Sequence, residues 1–158
     1  MKRAHLLIEA MAYVDPPVTL YLAGEGTQRA NLEALAERRG VAGRVRFLGS
    51  VDDETLVKLY AGALAVGYVP FDEDFGYVTL EAFLARKPVI TATDSGGPLE
   101  FVVDGVNGAV SEPAPEAVAA AINRYASARQ LATSHGDSGW TRARAITWDG
   151  VIEKLVSA

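Results

Sequence analysis

The chain has 158 residues, of which 49% are hydrophobic and 22% are charged, a composition typical of one soluble globular domain. Its formal net charge of −5 and the lack of any Lys- or Arg-rich run argue against a nucleic acid or an anionic membrane surface as a partner. The sequence contains no cysteine, which excludes disulfides, thiolate metal sites and cysteine nucleophiles and is compatible with a cytoplasmic location.

The first half of the chain alternates helical and strand patterns. Apolar residues at helical spacing, or in β-branched runs, predict helices over residues 1–14, 27–39 and 53–62 and strands over residues 18–24, 45–49 and 63–69. The apolar part of the opening helix is too short for a signal peptide. The strand over residues 63–69 is almost continuously apolar, which is typical of a strand that is buried on both faces.

The second half continues this alternation. The pattern predicts a helix that begins near Gly76, a strand over 88–91, a short helix or turn over 99–103, a strand over 109–110 and helices over 115–129 and 148–156. We expect the last helix to bury Trp148, Val151, Ile152 and Leu155. Residues 130–139 are polar and show no clear pattern. No stretch approaches the roughly 18 apolar residues that a membrane span needs.

Strands that alternate with helices at this spacing predict βαβ units, and hence an α/β fold with a doubly wound parallel sheet. We expect one cytoplasmic domain over residues 1–158, without a membrane span. In such sheets, ligands bind beyond the carboxyl ends of the strands. Three glycine-bearing segments are predicted at that edge, namely the 24–26 turn, the 72–76 loop and the 94–97 loop. The sequence therefore predicts a binding site there.

The 72–76 loop and the helix after it carry two glutamates, Glu73 on the loop and Glu81 on the helix. The free N–H groups at the start of the helix favour an anion such as a diphosphate, and Gly76 lets that anion approach the backbone. Glu81 would then accept hydrogen bonds from a ribose diol, and Glu73 from the hydroxyls of a sugar. A plainer alternative stays open, in which the acidic loop caps the helix and Glu81 lies on a solvated face.

The residues around these glutamates resemble a known family. Glu73 and Glu81 are separated by seven residues, the segment between them includes Phe75-Gly76, and Lys87-Pro88-Val89-Ile90 follows. This pattern resembles the C-terminal, nucleotide-sugar-binding domain of the group 1 glycosyltransferases, which are retaining enzymes of the GT-B fold. The resemblance covers nearly the whole chain. It implies a Rossmann-like domain that is one half of a GT-B enzyme.

The resemblance also implies roles for individual residues. Glu73 would contact the donor sugar and is the candidate catalytic residue, and Glu81 would contact the ribose of the nucleotide. The backbone amides of Phe75, Gly76 and Tyr77 would hold the diphosphate. The donor is expected to be a UDP- or GDP-hexose, which is the substrate and not a resident cofactor.

Lys2 resembles the family lysine that helps to neutralise the diphosphate, where negative charge develops during transfer. Otherwise it is a solvated lysine near the start of the chain. No metal and no cofactor are expected, because these enzymes use side chains and helix ends in place of a cation. For Asp72 and Asp74 we expect a structural role, in which they cap the helix and shape the loop.

The sequence departs from the family pattern at its start. The family domain begins with a strand that carries a phosphate-binding arginine, and Lys2 follows the position of that strand. The strand would be central in the sheet, so its absence would leave unpaired backbone groups, which are unfavourable when buried. We therefore expect the gap to be closed by rearrangement, by another chain in a homodimer or exchanged element, or by a segment outside these residues.

The N-terminal acceptor-binding domain of the family is also absent from these 158 residues. In the family that domain supplies half of the cleft and a histidine near the reacting carbon. His5, on the opening helix, and His135, predicted at the surface, do not replace it. We therefore expect the chain to be inactive without an acceptor domain.

Two other functions compete with a donor-binding domain. One is a non-catalytic, stand-alone binding or interaction module of the same fold. The other is a dinucleotide-binding domain, suggested by Gly24 and Gly26 but disfavoured because the third glycine of that motif falls at Arg29. The glycine pair is better interpreted as a turn that lines the nucleotide pocket, or simply as a turn between a strand and a helix.

Overall fold

The computed structural model describes residues 2–15, 17–147, 149, 152–153 and 156. Its helices are α1 Ala4–Ala10, α2 Arg29–Arg38, α3 Asp53–Gly62, α4 Tyr77–Leu84, α5 Pro98–Phe101, α6 Pro115–Ser127 and α7 Arg129–Arg144. Its strands are β1 Leu20–Ala23, β2 Val45–Gly49, β3 Val66–Gly67, β4 Val89–Ala92 and β5 Gly108–Ser111. A single 3-10 turn, Ala42–Arg44, precedes β2.

All of the named strands pair in parallel, which confirms the predicted α/β class. They form two sheets, one of β1 and β2, and one in which β4 lies between β3 and β5. Within the described residues, β1 and β3 each pair along one edge only. In the strand order 3-2-1-4-5-6 of a doubly wound sheet, the first strand separates the second from the fourth. β1 and β3 hold these two positions, so the break lies where a central strand was expected to be missing.

Strand β4 is covered on both faces, as the doubly wound prediction requires. Ile90 and Ala92 pack into a core with α1 and α6, whereas Val89 packs into a second core with residues of α4 and α7. Alternate residues of a strand point to opposite faces, so the two cores lie on opposite sides of this sheet. The β1–β2 sheet differs, because Leu20 and Leu22 pack against the first core while Tyr21 is 57% exposed.

Several predicted elements are shorter in the structure than their sequence patterns suggested. Helix α1 replaces a predicted helix over residues 1–14, although Met11 and Val14 are still buried in the core. Strand β3 has two residues in place of the predicted seven, and the predicted burial on both faces is wrong there, since Val66 is half-buried and Gly67 is exposed. Of the last predicted helix, Trp148, Val151 and Leu155 lie outside the described residues. The predicted burial of Ile152 is wrong, since it is 53% exposed.

Helix α7 was not predicted, because much of its sequence is polar and contains glycine. Its stability comes from packing instead. At Gly136 an added Cβ would collide with the backbone carbonyl of Arg86, and at Gly139 it would collide with the ring of Phe83. These glycines therefore let α7 lie directly against α4 and the turn that follows it. The predicted surface position of His135 is wrong as well, since its ring is buried beside the Tyr125 hydroxyl.

Candidate functional site

The two predicted loops meet at the carboxyl ends of β3 and β4. The amide of Asp72 donates to the carbonyl of Asp94 at 3.0 Å, and the amide of Glu73 donates to the carbonyl of Ser95 at 3.0 Å. The amide of Gly97 in turn donates to the carbonyl of Glu73 at 2.6 Å. Three backbone hydrogen bonds thus hold the 72–76 loop against the 94–97 loop. This contact fixes the backbone position of Glu73.

Lys2 lies beside Glu73. Its Nζ atom is 3.8 Å from Glu73 Oε2 and donates a hydrogen bond to the Tyr68 hydroxyl at 3.1 Å. The hydrogen bond to Tyr68 and the charge of Glu73 raise the pKa of Lys2, so its ammonium group stays charged. The Lys2 side chain is 68% exposed and is therefore open to a ligand. Tyr68 was not predicted as part of this site.

Gly76 forms the N-terminal boundary of α4 with a φ of 81°, a value that favours glycine. An added Cβ would lie 2.8 Å from Pro98 Cγ and 3.1 Å from Tyr68 Cε1, so space also requires glycine here. Among the described residues, no side-chain hydrogen bond caps this end of α4. The predicted capping by Asp72 and Asp74 is therefore wrong, and the loop is shaped by backbone hydrogen bonds instead.

Aromatic side chains border this end of α4. The ring of Phe75 lies 4.7 Å from that of Tyr77 and 5.1 Å from that of Phe101, measured between ring centroids. Phe101 is buried, so it anchors Phe75 to the second core. Tyr77 is 72% exposed. The segment that was predicted to present amides to a diphosphate is thus held in place from one side and open on the other.

Glu81 lies on the exposed surface of α4, but its carboxylate has a fixed partner. The Tyr60 hydroxyl, on α3, donates to Glu81 Oε2 at 2.8 Å. Burial, together with the nearby carboxylate, raises the pKa of Tyr60 above its ordinary value, so this hydroxyl stays protonated. One oxygen of Glu81 is therefore held by a donor, which orients the other. Glu81 therefore lies on a solvated face, as in the plainer alternative, but its carboxylate is also held in one orientation by Tyr60.

Gly24 and Gly26 follow the end of β1, which belongs to the two-stranded sheet. Gly24 donates to the carbonyl of Gly49 at 2.7 Å and has a φ of 117°. Both glycines have open space where a Cβ would be. Within the part of the chain that the structure describes, no hydrogen bond joins this turn to the 72–76 loop.

The described side chains contain no group of three or more His, Asp or Glu residues that is arranged to hold a metal ion. The positive groups near Glu73 are instead Lys2 and the start of α4. No described helix has the length and apolar character needed to cross a membrane.

Sequence comparison decides the family. The model of the family described as glycosyl transferases group 1 matches residues 1–139. The chain belongs to the group 1 glycosyltransferases. This group 1 glycosyltransferase chain is 38% identical over 140 residues to the lipopolysaccharide core biosynthesis glycosyltransferase LpsE of Rhizobium meliloti, covering 87% of this chain and 40% of LpsE. It is 35% identical over 125 residues to the alpha-1,3/1,6-mannosyltransferase ALG2 of Mus musculus, covering 78% of this chain and 30% of ALG2.

Solved structures agree with this family. The crystal structure of Anabaena Alr3699/HepE in complex with UDP and glucose matches 99% of this glycosyltransferase chain and 45% of that chain, with 30% identity and a TM-score of 0.85. The Rossmann-like half of the GT-B fold is therefore the fold of this chain. The chain spans less than half the length of each of these relatives.

Four side chains with long-range contacts in this region were missed by sequence reasoning. They are Arg3, Tyr60, Tyr68 and Asp94. Tyr68 lies within an apolar run that predicted a buried strand, and Asp94 was interpreted only as part of a turn. Their roles depend on partners that are distant in the sequence, so no local pattern could have identified them.

Proposed function

We propose that this chain is the donor-binding domain of a retaining glycosyltransferase and binds a UDP- or GDP-hexose at the carboxyl edge of β3 and β4. The observation that carries the proposal is the juxtaposition of Lys2 and Glu73 beside the uncapped start of α4. A cation, a carboxylate and free helical amides lie together there. These groups are complementary to a diphosphate that is linked to a sugar.

Each group has a distinct task in this proposal. The amides at Phe75, Gly76 and Tyr77 hold the diphosphate, and Lys2 offsets the charge that develops on it as the sugar leaves. Glu73 accepts hydrogen bonds from the hydroxyls of the sugar and is the proposed catalytic residue. The positive charge comes from Lys2 and the helix end, so this proposal includes no metal and no further cofactor.

The nucleoside is bound by a second set of groups. The free oxygen of Glu81 accepts hydrogen bonds from the ribose diol, while Tyr60 holds its other oxygen. Gly24 and Gly26 line the nucleotide pocket from the side of β1, where the space around them is open. UDP is the first ligand to test, because HepE, which shares this fold at 30% identity, was crystallised with UDP and glucose.

Transfer needs more than these residues in our proposal. The relatives are more than twice as long as the matched region, and an acceptor-binding domain would supply the rest of the cleft. We also propose that the unpaired edges of β1 and β3 receive a strand, from another segment or from a second copy of the chain. Residues 1–158 act in this proposal as one domain, in the cytoplasm.

The test is a calorimetric titration of the chain with UDP, GDP, ADP and NAD. We expect selective binding of UDP or GDP, weakened about tenfold by Glu81→Ala, the loss expected from one or two hydrogen bonds to a charged group. Glu54→Ala is the matched control, because Glu54 is an exposed helical glutamate that pairs with Lys58. The control variant should bind like the unaltered chain.

Three outcomes would contradict the proposal in whole or in part. Binding of NAD alone would indicate a dinucleotide-binding domain. Equal binding by the Glu81→Ala variant and the unaltered chain would remove Glu81 from the site. If the chain binds UDP but shows no transfer after an acceptor domain is supplied, it is a non-catalytic binding module.

A further inference from the structure

Arg3 has an unusual backbone. Its φ of 47° and ψ of 41° place it in the left-handed region, which residues with a Cβ seldom adopt. It directly follows Lys2 and precedes the first turn of α1. Such a conformation persists only when the surroundings stabilise it, and it is found most often at functional sites. The contacts of the Arg3 side chain provide that stabilisation.

The guanidinium group of Arg3 makes four hydrogen bonds. Two go to the Asp94 carboxylate, from Nη1 to Oδ2 at 2.8 Å and from Nη2 to Oδ1 at 2.6 Å. The others go to backbone carbonyls, from Nε to Val69 at 2.8 Å and from Nη2 to Pro70 at 2.7 Å. The Arg3 side chain is only 10% exposed. A planar fork of donors matches this arrangement, and a lysine does not.

These contacts join three segments, two of which, at Lys2 and at the 72–76 loop, carry proposed donor-binding groups. Val69 and Pro70 lead directly into the 72–76 loop, which carries Glu73. Asp94 begins the 94–97 loop, whose carbonyls accept from the amides of Asp72 and Glu73. Lys2 is the neighbour of Arg3 in the chain. One guanidinium group therefore links the backbone next to Lys2 to the segment that leads to Glu73 and to the start of the 94–97 loop.

We propose that Arg3 and Asp94 form a positioning pair that holds the Lys2 ammonium and the Glu73 carboxylate at the separation required by a diphosphate-linked sugar. The inference rests on the proposed function of this site. Neither residue contacts the donor in this proposal; both act through the backbone of the segments they join. The same ion pair also holds the pKa of Asp94 below its usual value, so the carboxylate stays charged near neutral pH.

The experiment must separate positioning from general stability, because breaking a largely buried ion pair also destabilises a fold. The test variants are Arg3→Lys, Asp94→Asn and the double variant. Arg3→Lys keeps the charge and a Cβ at the left-handed position but loses the fork. Arg44→Lys is the matched control, since Arg44 also donates to two backbone carbonyls, those of Met11 and Val14, in another part of the domain.

The first measurement is amide hydrogen exchange without any nucleotide. We expect protection at Asp72, Glu73 and Gly97 to fall by at least about tenfold in the test variants, while Val118 in α6 changes little, because local opening is separable from global unfolding. Arg44→Lys should leave the protection of Glu73 unchanged. An equal loss of protection at Val118 and Glu73 would overturn the proposal, because it would indicate general destabilisation only.

The second measurement is UDP binding by the same variants. Arg3→Lys and Asp94→Asn should each weaken binding about tenfold, or about 1.4 kcal/mol. The double variant should bind UDP no more weakly than the single variant with the lower affinity, since both substitutions break the same Arg3–Asp94 ion pair. Unchanged UDP binding, with exchange altered in the loop, would overturn the positioning role. If the unaltered chain binds no nucleotide, the proposed function fails, and the exchange data alone decide whether the pair holds the two loops.

Discussion

The two sheets of this domain present their glycine-bearing loops in opposite ways. At the end of β1, Gly24 and Gly26 have open space where a side chain would be. At the ends of β3 and β4, an added Cβ on Gly97 would lie 2.5 Å from the carbonyl oxygen of Asp74 and 2.7 Å from the Cα of Phe75. In the sequence these glycine-bearing loops look alike. We call the 24–26 turn the open rim, and the 72–76 and 94–97 loops together the closed rim. Glycine provides freedom at the first and close backbone contact at the second.

The two sheets also differ in how their faces are covered. The β3–β4–β5 sheet has a hydrophobic core on each face of β4, whereas β1 packs Leu20 and Leu22 against the first core and leaves Tyr21 exposed on the other side. The closed rim is thus supported from both sides.

The largest expected effect tests the closed rim against the open one. Gly97→Ala should lower the free energy of unfolding by about 2 to 3 kcal/mol, because the new methyl group overlaps backbone atoms that cannot move independently. Gly26→Ala, the matched control, should change it by less than about 0.5 kcal/mol, since nothing lies near the added atom. Urea unfolding measures both. Similar losses in the two variants would show that the rims are equally tight.

A smaller effect is expected at the hydroxyl that orients Glu81. Tyr60→Phe should weaken UDP binding about fivefold, corresponding to about 1 kcal/mol, because Glu81 loses the donor that fixes one of its oxygens. Tyr68→Phe provides a comparison on the Lys2 side, where the hydroxyl accepts from the ammonium group. Calorimetry should give unequal losses if the two hydroxyls serve different parts of the donor. Full UDP binding by Tyr60→Phe would remove the tyrosine from the site.

The smallest change concerns His135, on α7, which is buried beside Tyr125 of α6, and it depends on pH. Burial lowers the pKa of His135 below its ordinary value, and Arg124 contributes in the same direction. The unfolded chain therefore binds the proton more readily. The stability that neutral His135 provides is complete above about pH 6.5 and decreases as the pH falls through that value toward the folded pKa.

Urea unfolding at several pH values between about 5 and 7 tests this expectation. His135→Gln keeps a polar partner for the Tyr125 hydroxyl but does not titrate, so its unfolding free energy should vary less over that range. A slope equal to that of the unaltered chain would assign the pH dependence to other groups.

Much of the architecture follows from local patterns. The alternation of apolar runs and helical spacing predicted the parallel α/β class, because strands and helices repeat their apolar residues with different periods. The spacing of Glu73, Gly76 and Glu81 placed a loop before a helix start, since glycine chemistry and helix geometry act over a few residues. The family and its fold followed from the same stretch.

What the sequence could not reveal depended on contacts between distant residues. Helix α7 was missed because its glycines are unfavourable in a helix by themselves and are useful only against Arg86 and Phe83. Tyr60 reaches Glu81 across 21 positions, and Arg3 reaches Asp94 across 91. The sequence alone determined the alternation of strands and helices before α7 and the position of the acidic loop, because those signals are local. Only the tertiary structure decided which side chains orient that loop, because hydrogen bonds act through space.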